Sequence, residues 1–409
     1  MSATRIFLRL AYLVCISSLT KTYTLKDELN LHAAIFNSTY DTNVRPGENR
    51  SIPLQINVTF YFKSIKEVDE SISKFSITGA LGVMWKDDRL TWEPSYFGGD
   101  LYITIVPQKK IWMPFLVNIN AYNELKEIGS SNMDLRIESN GGITWVTPNI
   151  FESTCDADMS YYPFDSQTCT LRFYIPGFMP SEIAFTIPEN SINMNEYSKN
   201  GLWDVTNTRM YTALNILQFQ EVRMSVTMKR RPVYYISSLI LPVAFLSFLQ
   251  LFVFLMPPDC GERVGFVTTV LLAIAVYLTL VQDKLPEGSE PSVSYLSYKL
   301  LGDFMIGVFM EIGVIIGLRF YYREHEQRIP DYLKTLHRIS FCDLSCCYLK
   351  KHKVATDEKE TMEEIKNPVS EPLTWLDIGK ATDRLCLFMF GFGLMNCNIV
   401  YLIVIVSFY

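Results

Sequence analysis

The stretch CDADMSYYPFDSQTC, Cys155 to Cys169, sets two cysteines thirteen residues apart around the tip Tyr161-Tyr162-Pro163-Phe164-Asp165. An isolated surface loop does not expose so apolar a tip, so it needs a partner surface. The rest of the chain supplies one. Beyond residue 231 it carries four apolar blocks: Tyr234–Met256, Val264–Gln282, Val293–Leu318 and Leu385–Tyr409. Three carry no charged residue, and the third block has only Lys299, Asp303 and Glu311. Each is long enough to cross a bilayer core as a helix, which takes roughly 20 residues. The cysteine loop therefore belongs to an outer domain that precedes a membrane bundle.

Orientation follows from the two ends. Arg5 and Arg9 precede the apolar run Leu10–Ile16 and the small polar Ser17, Ser18 and Thr20, the pattern of a secretory signal peptide over residues 1–22. With four spans after it, both mature termini are expected outside a multi-pass plasma-membrane protein. The acceptor sequons at Asn37, Asn49 and Asn57 fall in the outward segment. Arg319, Arg323, Arg328, Lys334, Arg338, Lys350, Lys351 and Lys353 lie between the third and fourth spans, as an inside loop should show. One basic cluster, Lys229-Arg230-Arg231, stands on the opposite side, so its charges are kept for another purpose. The domain boundaries read 23–231 for the outer domain, 232–318 for three spans, 319–382 for the inside loop and 383–409 for the last span.

The nine cysteines sort by compartment. Cys15 leaves with the signal peptide; Cys260, Cys342, Cys346 and Cys347 face the cytosol; Cys386 and Cys397 lie in the last span. Cys155 and Cys169 are left alone in oxidising space and should pair. For Cys346-Cys347, palmitoylation and simple burial both stay open. Within the outer domain, Leu25–Phe36 reads as a short amphipathic helix. Ile56, Val58, Phe60 and Phe62 alternate with Asn57, Thr59 and Tyr61, and similar runs at Leu101–Val106, Thr170–Ile175 and Val222–Met228 are punctuated by Gly, Pro and Asn. That is an antiparallel sandwich. Helical pieces are expected around Tyr332–Ile339 and Thr374–Arg384 in the inside loop.

Composition excludes other classes. A net charge of -6 over 409 residues argues against a phosphate-tracking face, so no nucleic acid is expected as a partner. His32, His325, His337 and His352 show no metal-ligand spacing, and no nucleophile elbow or phosphate-cradling loop is present, so neither an enzyme nor a cofactor is expected.

The second span carries a stripe at steps of three or four residues: Glu262, Gly265, Thr269, Leu272, Val276, Thr279 and Asp283. A lipid-facing stripe would be apolar throughout. Repeated around a symmetry axis, this one lines a pore whose carboxylate rings concentrate permeant cations and whose Leu272 and Val276 rings form a constriction that dewets.

A β-sandwich, a thirteen-residue cysteine loop with Pro163-Phe164-Asp165 at its core, Pro242 in the first span and a long inside loop before the last span together resemble the Cys-loop receptors. These are pentameric ligand-gated ion channels. The resemblance covers essentially the whole mature chain. It implies an extracellular all-β antiparallel sandwich with a short N-terminal helix, then a four-helix transmembrane bundle, in a homo- or hetero-pentamer. Asp259-Cys260-Gly261-Glu262-Arg263 is similar to the nicotinic cation-selective branch, since the Pro-Ala pair of anion-selective relatives is missing. The loop tip is implied to sit by the linker Lys284–Pro291, with Pro286 among the coupling residues, and Glu70 and Arg230 match the family's charge pair beside it.

The family's aromatic ligand box is incomplete here. Its central tryptophan falls at Pro176, its complementary tryptophan at Ala80, and Phe115 and Ile119 replace an Asp and a Tyr. No vicinal cysteine pair lies in Asp204–Gln220. Trp145, Tyr174, Phe178 and Tyr211 are the aromatic candidates left, acetylcholine is disfavoured, and Trp85, Trp92 and Trp112 read as structural. The expected partners are copies of this chain in a pentamer, membrane lipids, permeant cations and an unidentified extracellular small molecule. The alternative is a non-agonist-binding auxiliary subunit of a heteropentamer.

Overall fold

A computed structural model describes residues 23–125, 127–129, 133–189, 191–283, 293–324, 328–340 and 373–407. The signal peptide, the linker with Pro286, and Cys342, Cys346 and Cys347 lie outside them. The chain divides into two compact units, one holding the residues up to Ala157 with Ser166–Arg230, the other Asp158–Asp165 with Arg231 onward.

In the first unit, helix α1 (Leu25–Ile35) opens on a reciprocal cap: the Asp27 amide donates to Thr24 Oγ1 and the Thr24 amide donates to Asp27 Oδ2. Eleven strands come after it: β1 (Leu54–Asp69), β2 (Lys74–Thr91), β3 (Ile103–Pro107), β4 (Val117–Asn118), β5 (Asp134–Glu138), β6 (Asn140–Thr154), β7 (Ser166–Tyr174), β8 (Ile183–Thr186), β9 (Ile192–Asn193), β10 (Trp203–Leu214) and β11 (Gln220–Arg230). One sheet runs β3-β5-β6-β2-β1-β8, with β9 also paired to β1; the other runs β10-β11-β7-β4. Pairing is antiparallel except for short β8 and β9, which run parallel to β1. Ile56, Val58, Phe60 and Phe62 are at most 1% exposed, so the period-two apolar face of β1 is the core face. Phe60, Phe151 and Phe173 carry ring contacts at 5.2 and 5.7 Å from β1 through β6 to β7, joining the two sheets.

The second unit has four helices long and apolar enough to cross a membrane: α2 (Val233–Leu255), α3 (Arg263–Gln282), α4 (Tyr295–Tyr321) and, after the short α5 (Asp331–Ser340), α6 (Trp375–Val406). Pro242 lacks an amide donor, and the backbone just before it widens into a π-turn at Ile236–Ile240. Helix α6 begins at Trp375, so the loop-to-span boundary read at residue 383 falls inside a continuous helix. The reason is charge burial. Asp383 ended the apolar run in the sequence, yet its carboxylate is buried against Arg263 Nη2 at 2.9 Å and accepts from the Tyr321 hydroxyl at 3.0 Å.

Candidate channel and ligand sites

Helix α3 has two faces. Arg263, Val267, Val270, Ile274 and Val281 are buried inside the protomer. Glu262, Gly265, Thr269, Leu272, Val276, Thr279 and Asp283 are all exposed, Leu272 at 65% and Val276 at 52%. No atom lies within 4 Å of where a Cβ at Gly265 would stand. Thr269 and Thr279 turn their hydroxyls back to the carbonyls of Gly265 and Val276, at 2.7 and 2.8 Å. That leaves a row of small hydroxylic and apolar surfaces between two carboxylates. Gly261, in the left-handed region at φ +69°, turns the chain into Glu262 at the N-terminus of α3. Next to it, Arg263 points inward. It is 1% exposed, donates through Nε to the Val253 carbonyl at 3.1 Å and pairs with Asp383. Its charge is thereby withdrawn from the exposed face, which Glu262 alone occupies at that end.

The cysteine loop starts and ends in the first unit, where the Cys155–Cys169 disulfide is formed, and its tip belongs to the second. Tyr162, Pro163 and Asp165 are buried and Phe164 is half-buried. The Tyr162–Pro163 peptide is cis. Tyr161 meets Tyr295, at the start of α4, and Tyr162 meets Tyr235, at the start of α2, each at 5.3 Å between ring centroids. The Tyr295 amide donates to the Ser160 carbonyl at 3.0 Å. Glu70 and Arg230 are brought together in the first unit: Arg230 Nη2 lies 2.5 Å from Glu70 Oε1, and the guanidinium stands 4.2 Å from the Trp203 ring centroid.

The four aromatic ligand candidates are not brought together as a box. Trp145 is 1% exposed in the sandwich core, and Phe178 packs against that core. Tyr174 pairs with Phe219 at 6.2 Å, and Tyr211 lies under the Arg209 guanidinium at 5.2 Å. Trp85 and Trp112 pack edge to face in the core, and the Trp92 indole donates to the Leu101 carbonyl. On the outward side of β1, β2 and β6 a cavity of about 730 Å³ is lined by Tyr61, Lys63, Ala80, Asn149 and Glu196 among others. The small Gly79 and Ala80 leave that room. Asn37, Asn49 and Asn57 are exposed, as glycosylation would require.

Two charged arrangements escaped sequence reading. Glu221 is fully buried beneath Arg172 and Arg223, an arrangement that depends on β7 and β11 pairing in one register. Lys299 and Asp303 pair at 2.6 Å inside the bundle. Their i, i+4 spacing on α4 was the available signal.

Comparison with known proteins finds two family matches. Residues 28–232 match the neurotransmitter-gated ion-channel ligand binding domain, and residues 239–316 match the neurotransmitter-gated ion-channel transmembrane region. The chain is similar to the neuronal acetylcholine receptor subunit alpha-6 of Mus musculus, with 29% identity over 82% of this chain and 69% of the relative. Subunit alpha-3 of Homo sapiens is 29% identical over 80% of this chain and 65% of the relative. Subunit alpha-6 of Homo sapiens is 30% identical over 73% and 61%. The chain thus spans roughly two thirds of the length of these relatives.

Proposed function

Because this chain belongs to the neurotransmitter-gated ion-channel family, as a nicotinic-like Cys-loop receptor, we propose that it assembles as a pentamer and forms a cation-selective pore lined by α3, opened by an extracellular small molecule. The observation that carries this is the division of α3. Its opposite face is buried in the protomer, while the stripe from Glu262 to Asp283 finds no cover there. Five copies around an axis would turn that stripe into concentric rings. Leu272 and Val276 would make the constriction that empties of water when closed. Glu262 would set the sign of the permeant ion, because the neighbouring Arg263 is neutralised by Asp383 away from the pore face.

Coupling would run through the cysteine loop, whose crosslinked base and aromatic tip belong to different units. The Glu70–Arg230 pair accounts for the basic residue kept on the outer side of the first span. Both termini are placed outside. The chain is not read as an enzyme, the family being one of ligand-gated channels.

The test is cysteine substitution on cells. Thr269→Cys and Leu272→Cys should react with a charged, water-borne thiol reagent, and Val267→Cys and Ile274→Cys should not. Protection of both Thr269→Cys and Leu272→Cys in well-expressed protein would remove α3 from the pore.

A further inference from the structure

The geometry points to a binding site for a small carboxylate on the outward face of β7, β10 and β11, centred on Arg172 and Arg223. The assignment rests on reading the outer domain as ligand-binding and names the ligand's chemistry. In the cross-strand register, Tyr211, Arg223 and Arg172 form one row. Directly opposed residues share a face of the sheet. The row on one side is Ala213, Glu221 and Tyr174; on the other it is Arg209, Ser225 and Thr170. Three arginines, one glutamate and two of the aromatic ligand candidates therefore lie on one patch.

The charge does not balance. Arg172 alone saturates the Glu221 carboxylate, through Nε at 3.0 Å and Nη2 at 2.9 Å, one to each oxygen. Arg223 adds a third bond from its Nε at 3.0 Å, and its two terminal nitrogens make no hydrogen bond among the described residues. Exposure decides what a ligand meets. The Glu221 side chain is 0% exposed, whereas Arg172 is 35% and Arg223 is 27% exposed. The surface thus presents guanidinium edges with their counter-ion underneath, plus exposed Arg209 beside them.

An ammonium ligand would meet the wrong field here. The face of Tyr211 that would attract it by cation–π contact already holds the Arg209 guanidinium. A carboxylate, by contrast, matches the planar fork of a guanidinium with free terminal N–H groups.

Butyrate and butylammonium, similar in size and opposite in charge, separate the two chemistries. Radiolabelled butyrate is equilibrated with the full chain in lipid nanodiscs. Saturable binding is expected, displaced by unlabelled butyrate and not by butylammonium at equal ionic strength. Arg223→Gln, which leaves the Arg172–Glu221 pair intact, should weaken binding about tenfold or more, and Arg209→Gln should weaken it less. Absence of saturable binding, equal competition by butylammonium, or unchanged binding by Arg223→Gln would each overturn the site. Because the readout is binding, a chain that passes no current yet shows this pattern overturns the channel reading alone. A conducting chain that prefers butylammonium overturns this one alone.

Discussion

Removing Arg230 tests whether the basic residue before the first span holds the outer unit together at its charge pair. Its side chain is 2% exposed, Glu70 is 13% exposed, and the two approach to 2.5 Å. Breaking a buried pair by deleting one partner costs about 3–5 kcal/mol, and the residual exposure of Glu70 places this pair near 3. The guanidinium also stands 4.2 Å from the Trp203 ring centroid, a contact worth about 1 kcal/mol. Arg230→Gln should therefore cost about 4 kcal/mol. For a unit of this size each kcal/mol moves Tm by about 2–4 °C, so a fall of roughly 8–16 °C is expected. The assay is thermal unfolding of the full chain in detergent, followed by tryptophan emission, because Trp203 reports on this contact directly. Glu70→Gln and the double variant complete a cycle. Once Arg230 is gone, Glu70→Gln should cost at least about 1.5 kcal/mol less than it does alone. Effects that add within about 0.5 kcal/mol would show that the two residues are neighbours without being partners, and would refute the reasoning.

Three further outcomes are expected. Glu262→Lys should move the reversal potential toward that of chloride under a NaCl gradient, and an unchanged value would take Glu262 out of the filter. Cys155→Ser should destabilise the outer unit by about 3 kcal/mol, the loop-entropy cost of the lost crosslink, read as impaired assembly on size exclusion; normal surface pentamers would show the disulfide to be dispensable. Burial works against the Glu221 carboxylate, but hydrogen bonds from Arg172 and Arg223 outweigh it and hold its pKa below the ordinary 4.5. Its contribution to stability is therefore present above that ordinary value and lost as pH falls through the lower, folded one. Glu221→Gln should flatten that acid limb in Tm measured against pH, and parallel curves for the two proteins would mean that another group titrates.

The parts legible in the sequence were those set by local period. Alternation placed Ile56, Val58, Phe60 and Phe62 on one side of β1, and spacing by three and four marked the exposed stripe of α3. The long-range pairings were not legible. Asp383 looked like the end of a polar loop because its partner, Arg263, is distant in sequence, and charge reads as exposure until a counter-charge is in view. Trp145 had the right chemistry for a ligand box, but it stands at an inward position of β6. The basic patch required three strands in register, so neither Arg172 nor Arg223 drew notice alone.

The central claim is that α3 lines a cation-conducting pore, and voltage-clamp recording from cells expressing this chain with Leu272→Ser tests it most directly. That substitution places a hydroxyl at the more exposed of the two constriction positions, Leu272 and Val276, and should wet the constriction. A standing inward current that falls when choline replaces external sodium is the result a cation pore requires. Abundant surface protein with no current, or a current indifferent to the exchange, would contradict it.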